Sequence, residues 1–327
     1  LTEGDGEYDY DHEQKGAPMK SRHFVSIAST PLEDLLEIFD VTARQKETLA
    51  RDGRLAPLLE GKTLGMLFEK PSLRTRVSFE VAMAQLGGHT TTLGQGEVQL
   101  GQREAVCDFA RVLSRYVDLI AARVFQHRHV EEMARNSRVA VINALSDYSH
   151  PCQALADLWT FKERVGRWEG AKLAFVGDGN NVARSLGFLC AKLGVRFALA
   201  SPRGYGFDDA YLEKLGRTAE NKKFSLEMGA DPKKLLRGAD AVYTDVWASM
   251  GQEAEREKRK RDFAAYQLNE KLLRCAKPGA IVLHCLPAHR GEEITDGVMD
   301  GPQAAVYDQA ENRMHTERAL LTLLAKK

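Results

Sequence analysis

The chain has 327 residues, 43% hydrophobic and 28% charged, enough for a sizeable core and suggestive of two domains. Its 46 basic and 46 acidic residues cancel, so nothing argues for nucleic acid or an acidic membrane surface, and no apolar run approaches a membrane span. The five cysteines stand singly with no CxxC, which suits a reducing, cytoplasmic setting and speaks against a disulfide framework or a zinc site.

Residues 1–18 are acidic and lack an apolar period. They read as a disordered tail or an expression remnant, not as a secretory or transit signal, with Met19 as the expected natural start. Thr30, Pro31 and Glu33 have capping-box spacing with proline at N1, which predicts a helix to about Leu49. The apolar run 63–68 predicts a buried strand, and the pattern from Val77 to Leu86, stopped by Gly87 and Gly88, predicts a helix. Ser72, Arg74 and Thr75 thus fall where a strand turns into a helix. Free backbone N–H groups and the positive dipole end favour an anion there, and two hydroxyls and a guanidinium add donors suited to phosphate. A helix capped by Ser72 with solvated arginines fits the same residues.

A strand follows at 90–93, then a polar glycine-rich loop over 94–101 and a helix over 103–114. A strand at 119–125, a helix at 129–136 and a strand at 139–145 complete the first half. The alternation predicts an α/β unit with a mostly parallel sheet. Pro151 suits the first position of the next helix, which places His150 and Gln153 at its N-terminus, where two donors suit a polarised carbonyl oxygen. A histidine that only caps its helix is the plainer alternative.

A second α/β unit is predicted from strands at 172–176, 197–200, 241–244 and 280–283, closed by a helix from Thr316 through Leu324. The fold class is therefore α/β with two domains, each a mostly parallel sheet flanked by helices. Gly177, Gly179 and Val182 form an incomplete dinucleotide fingerprint, which argues against a nicotinamide cofactor, while Asn181 can offer its amide to a small ligand. Residues 249–261 read as a glycine-containing loop at a strand's carboxyl end, then a solvated helix with i,i+4 charge pairs. Cys285 reads as a nucleophile, a metal ligand with His284 or a buried small residue; adjacent side chains on a strand point to opposite faces, which argues against a shared metal, and a buried inert thiol is the common case.

Seven segments, FEKPSLRTR, AARVF, HPCQ, VGDGNN, DVWASMGQE, HCLPAHRGEEIT and AENR, together resemble the aspartate/ornithine carbamoyltransferase family across residues 24–324. The resemblance implies a carbamoyl-phosphate domain over 19–147, joined by a C-terminal helix at 315–327, and an ornithine domain over 148–314. It implies a homotrimer with shared active sites, a place in arginine metabolism whose direction, arginine biosynthesis or breakdown, the residues leave open, and no metal or organic cofactor. Carried over, Ser72, Leu73, Arg74 and Thr75 hold the phosphate, and Arg123, His150 and Gln153 the carbamoyl group. Gln99 reaches the neighbouring subunit's site. Asn181, Asp245, Ser249 and Met250 hold ornithine, and Cys285, Leu286 and Arg313 lie between the two substrates. Arg123, His150, Gln153, Asp245, Cys285 and Arg313 are the expected catalytic groups. Leu73 stands where the family commonly has threonine. Another amine acceptor, such as putrescine, lysine or aspartate, is the alternative chemistry.

Overall fold

The computed structural model describes residues 16–94, 97–248 and 253–325. Expectations about residues 1–15, the centre of the glycine-rich loop and 249–252, including Ser249 and Met250, lie outside the described residues. The chain divides into two compact units. One comprises the residues up to Val25, Thr30–Ala144 and those from Met314 on; the other comprises Ser26–Ser29 and Leu145–Arg313.

The first unit holds strands β1 (Thr63–Phe68), β2 (His89–Leu93), β3 (Leu119–Arg123) and β4 (Ala140–Leu145) in the order β2-β1-β3-β4. β1 pairs in parallel with both β2 and β3, and Phe68 stands opposite Arg123. Helices α1 (Leu32–Asp52), α2 (Leu73–Gln85), α3 (Val106–Leu113) and α4 (His127–Asn136) connect or precede these strands. β1 and β3 are almost wholly buried, as parallel strands covered on both faces must be, and Leu67, Phe109, Ile120, Val130 and Met133 form part of the core. The second unit carries β5 (Lys172–Val176), β6 (Arg196–Ala200), β7 (Leu226–Gly229), β8 (Ala241–Thr244) and β9 (Ile281–His284), ordered β7-β6-β5-β8-β9 with every pair parallel. Its helices are α5 (Pro151–Val165), α6 (Asn181–Leu193), α7 (Asp209–Thr218), α8 (Pro232–Leu235), α9 (Arg256–Phe263), α10 (Glu270–Leu273) and α11 (Asp296–Met299). The last helix, α12 (Val306–Leu324), begins in this unit and ends in the other.

The α/β class, with a parallel sheet and flanking helices in each unit, agrees with the sequence reading, but several boundaries differ. Pro31 occupies the N-cap of α1, one position before the expected N1, and the helix runs to Asp52, where Gly53 takes φ +69°. Few residues other than glycine adopt that left-handed conformation without cost, so the stop falls there. α3 begins at Val106, three residues later than expected, because Leu100 and Glu104 form a bridge before it. β7 was not foreseen; its mostly exposed LEMG has no apolar alternation. α12 starts ten residues before the predicted helix. Gln309, Asn312, Arg313 and His315 on its first half are buried polar residues, so no polar-to-apolar face marks the helix in the sequence. The charged α9 is not simply solvated either. It keeps the i,i+4 pair of Glu255 with Arg259, but Arg259 is only 6% exposed and also donates to Asp178 Oδ2 at 2.6 Å and to the Trp247 carbonyl at 3.0 Å.

Both sheets reverse their direction of growth beside their first strand, β1 in one unit and β5 in the other. Two loops diverge at each reversal, the usual ligand position of an open parallel sheet. The turn after β5 is tight. Gly179 N–H donates to the Tyr205 carbonyl at 2.7 Å, and a Cβ on Gly179 would lie 2.9 Å from the backbone of Gly206. Gly179→Ala should therefore cost about 1–3 kcal/mol as the two backbones are forced apart. Urea unfolding of the variant beside wild type measures this; equal midpoints and slopes would refute the close approach.

Candidate active site

At the β1–β3 reversal the backbone is strapped in two places. Glu69 N–H donates to the Arg123 carbonyl at 2.9 Å, and Glu69 Oε2 accepts the Phe125 N–H at 2.7 Å. Lys70 Nζ stands 4.5 Å from the centre of the Phe125 ring, a cation–π distance. The strap fixes the loop that leads into α2. Ser72 is the N-cap of that helix, and its Oγ accepts the Thr75 N–H at 3.3 Å. The expected Ser72 cap is therefore present, while Arg74 is half-buried and not fully solvated. Thr75 is buried, and Leu73 is 75% exposed. Arg123 ends β3, 6% exposed, beside this loop. The N-terminus of α2, from Ser72 to Thr75, and Arg123 at the end of the neighbouring strand thus form a setting whose chemistry suits an anion. Gln99 lies apart on the exposed polar loop.

In the second unit the reversal falls between β5 and β8. Asn180, not foreseen as functional, caps α6 with Oδ1 accepting from Val182 N–H at 3.0 Å and Ala183 N–H at 3.1 Å. Its Nδ2 crosses the reversal to donate to Asp245 Oδ2 at 2.7 Å. The neighbouring Asn181 is used differently: Nδ2 donates to the Ser146 carbonyl at 2.7 Å and Oδ1 accepts the Val182 N–H at 3.0 Å. The Asn-Asn pair was visible in the sequence, but which residue turns toward Asp245 depends on helix phase.

Asp245 follows β8 directly and is 6% exposed. Besides Asn180 it accepts the Cys285 thiol at 3.0 Å and the Val246 N–H at 2.8 Å. Among the described residues no lysine or arginine pairs with it. A nearly buried carboxylate held by neutral donors alone is unusual, since buried charges are normally matched. It is a ready place for an incoming cation. Burial of the sulfur and the Asp245 charge together push the Cys285 thiol well above its ordinary value, so it acts here as a hydrogen-bond donor and not as a thiolate.

β9 ends at His284, so strand alternation does not separate His284 from Cys285 as expected. Ligating atoms of Asp245, His284 and Cys285 lie within 4.8 Å of one another. The buried His284 ring is already engaged on both sides: Nδ1 accepts the Leu286 N–H at 2.8 Å, and Nε2 faces Glu293 Oε1 at 3.1 Å. That pattern fits the neutral tautomer protonated on Nε2 and leaves no lone pair for a metal. Leu286 takes φ +58°, rare for a side-chain-bearing residue and typical of functional turns.

His150 occupies the N-cap of α5 without a side-chain cap bond, so the plainer capping role does not apply to its ring. Its backbone N–H is held by Ser185 Oγ at 2.8 Å. One turn on, Gln153 Oε1 accepts Arg313 Nη1 at 2.7 Å from α12. The structure thus brings together Gln153 with Arg313, and Asp245 with Cys285. Asp157, Gln309 and Tyr243, buried behind them, were not foreseen. Only Asp157, four residues after Gln153, left a trace in helical spacing. The state of Cys285 predicts a reactivity. Iodoacetamide should alkylate it slowly near neutral pH, and Asp245→Asn, which removes the opposing charge, should lower the thiol pKa and speed labelling. Site-resolved mass spectrometry reads both rates; faster labelling in the wild type than in the variant would contradict the assignment.

Residues 22–163 match the family described as "Aspartate/ornithine carbamoyltransferase, carbamoyl-P binding domain", and residues 169–324 match its "Asp/Orn binding domain". An ornithine carbamoyltransferase of Methanopyrus kandleri is 51% identical over 306 residues, covering 94% of this chain and 98% of the relative. An anabolic ornithine carbamoyltransferase of Pyrococcus furiosus is 49% identical over 306 residues, covering 94% and 97%. Among solved structures, ornithine carbamoyltransferase from Pyrococcus furiosus superposes with a TM-score of 0.89 at 48% identity, covering 95% of this chain and 98% of that one. The enzyme from Thermus thermophilus gives 0.83 at 44% identity, covering 93% and 99%.

Proposed function

The chain belongs to the aspartate/ornithine carbamoyltransferase family, and from that premise we propose that it transfers the carbamoyl group of carbamoyl phosphate to the side-chain amine of L-ornithine, giving L-citrulline and phosphate. The observation that carries the choice of acceptor is Asp245, a nearly buried carboxylate with neutral donors around it and no cation paired to it among the described residues. An amine acceptor supplies the missing charge; a dicarboxylate such as aspartate would add a second anion. The biosynthetic direction is supported by the anabolic relative. A cytoplasmic setting accords with the five cysteines, all of them free thiols.

In this reading the unit built on β1–β4 binds carbamoyl phosphate and the unit built on β5–β9 binds ornithine. Ser72, Leu73, Arg74 and Thr75 hold the phosphate with the first turn of α2. Arg123, His150 and Gln153 draw negative charge onto the carbonyl oxygen, with Arg313 and the backbone around Leu286 completing the carbamoyl contacts. Asn181, Asp245, Ser249 and Met250 hold ornithine, with Cys285 beside the reacting amine. A lysine-like amine has a pKa of ~10.4, so presenting it neutral at pH 7 costs ~4–5 kcal/mol. Asp245 draws the ammonium in, the ammonium gives one proton to solvent, and Asp245 then holds the N–H groups of the neutral amine. The amine nitrogen bonds to the carbonyl carbon, the carbon–oxygen bond to phosphate breaks, and the amine proton passes to the departing phosphate. Each donor on the developing oxyanion contributes up to ~3–4 kcal/mol. The protonated Cys285 orients the amine and does not attack.

A homotrimer with shared sites, to which Gln99 contributes from a neighbour, completes the proposal. α2 carries apolar residues on its outer face, with Leu73, Val77 and Val81 75%, 44% and 36% exposed at four-residue spacing. Such a stripe suits burial against another subunit.

Purified protein should form citrulline from carbamoyl phosphate and ornithine, and far less product from putrescine, lysine or aspartate; a flat acceptor panel would refute the choice of ornithine. Asp245→Asn should lower kcat/KM for ornithine by about tenfold to a hundredfold while sparing carbamoyl-phosphate affinity, the worth of a hydrogen bond to a charged group. Arg74→Ala should do the reverse, weakening carbamoyl-phosphate binding by calorimetry with the fold intact. Val77→Glu, at the centre of the exposed stripe, should shift sedimentation from trimer to monomer. A wild type that sediments as a monomer counts against the assembly.

A further inference from the structure

Behind the residues assigned to substrate lies one fully buried carboxyl group. Asp157 sits on α5 one turn after Gln153, with 0% exposure. Its Oδ1 accepts Gln153 Nε2 at 2.7 Å and Gln309 Nε2 at 2.6 Å. Gln309 Nε2 also reaches the Tyr243 hydroxyl at 3.1 Å, and Gln309 Oε1 accepts the His284 N–H at 2.9 Å. Tyr243 lies against Cys285, which donates to Asp245. A continuous polar chain therefore runs from Arg313 and Gln153 through Asp157, Gln309 and Tyr243 to Cys285 and Asp245.

We propose that Asp157 is a positioning residue for carbamoyl transfer: it fixes which way round the Gln153 amide stands and ties that amide, through Gln309 and Tyr243, to the acceptor side of the site. The argument is one of hydrogen-bond polarity. A glutamine amide can turn through half a revolution and exchange its oxygen for its nitrogen. A guanidinium only donates and a carboxylate only accepts. Between Arg313 and Asp157, one orientation of Gln153 satisfies both neighbours, with Oε1 toward Arg313 and Nε2 toward Asp157. The opposite orientation sets oxygen against oxygen and N–H against N–H. The amide is locked, and its second N–H is left for the carbamoyl group.

The lock keeps a carboxyl group fully enclosed, where burial disfavours its charged form. Burial raises the Asp157 carboxyl to about 7, against the opposing pull of the bonds from Gln153, Gln309 and Tyr243 and of the Arg313 charge. The titratable groups facing it are Arg313 from α12, Tyr243 from β8, Cys285 beyond β9 and Cys190 from α6, whose thiol this carboxyl helps to push up. Below its pKa, Asp157 gains a proton, can donate as well as accept, and no longer dictates the amide's orientation.

This inference rests on the carbamoyl-transfer reading, so citrulline formation by the wild type is measured first. An inactive wild type would sink that reading itself. With an active wild type, Asp157→Asn keeps the shape of the group and removes its one-way acceptance. Its kcat/KM for carbamoyl phosphate should fall at least tenfold at pH 8, and the deficit should shrink as pH is lowered through about 7. Gln153→Ala/Asp157→Asn should be no worse than Gln153→Ala alone, because Asp157 acts through that amide. Kinetics of Asp157→Asn within twofold of wild type, a deficit flat with pH, or additive losses in the double variant would each overturn the positioning role while leaving the transferase reading standing. If Asp157→Asn does not accumulate folded, Gln309→Leu, which strips the carboxyl of its second donor, takes its place in the cycle, and additive losses there overturn the proposal equally.

Discussion

Parallel strand pairing obliges each connection to recross the sheet, so all the strand carboxyl ends gather along one edge. Where growth of the sheet reverses, the loops from two adjacent strands diverge and no connection covers the gap. Both units are organised by this constraint. At β1 and β3 it exposes the N-terminus of α2 and the end of β3; at β5 and β8 it exposes the loops that carry Asn180 and Asp245. The two gaps have opposite chemistry. The first is lined by a helix N-terminus and arginines, the second by a carboxylate with neutral donors. An anionic ligand suits the first of these environments and a cationic one the second.

The parts of the fold that the sequence announced are those where local chemistry and position agree. The run 63–76 reads as strand, turn and helix because its apolar residues, its Pro71–Ser72 turn and its helix-forming stretch point the same way. The expected roles of Gln153, Arg313, Asp245 and Cys285 came from family resemblance; the contacts of Gln153 with Arg313 and of Asp245 with Cys285 lay beyond local reading, since 160 and 40 residues separate the partners. Where the reading failed, burial overrode the surface pattern. The first half of α12 is polar in composition yet inside the protein, so it looked like a loop carrying a motif. Arg259 stands in a run of charges that looked solvated, yet it is buried against Asp178. The alternation argument at His284 failed because the strand stops one residue sooner than it assumed.

Those failures share a physical theme. Polar side chains in the interior are tolerable only when their donors and acceptors match, and matching is a property of three-dimensional neighbours. Asp157, Gln153, Gln309 and Arg313 satisfy one another across two helices, with Tyr243 added from a strand. Removing any one leaves the rest buried with an unmade bond, which extends constraint from Gln153 and Arg313 to Asp157, Gln309 and Tyr243 behind them. Arg318, fully enclosed on α12 and bonded to Gln45 and Gln85, shows the same arrangement in the other unit, where burial lowers the guanidinium to about 10.

The path of α12 has a consequence for biogenesis. Ala319, Leu320, Leu321, Leu323 and Leu324 are all buried, and with Thr322 bonded to Gln45 they belong to the unit whose strands are the earliest in the chain. A ribosome making this protein at ~5–20 residues per second delivers β1–β4 first, then the whole of the other unit, and only then the helix that closes the first core. The later-made unit can therefore complete its sheet while the earlier one waits, its apolar surface open, for residues translated after both sheets. Nascent chains arrested before Val306 should thus present a half-finished first unit to chaperones, and release of the final helix is the event that ends that exposure.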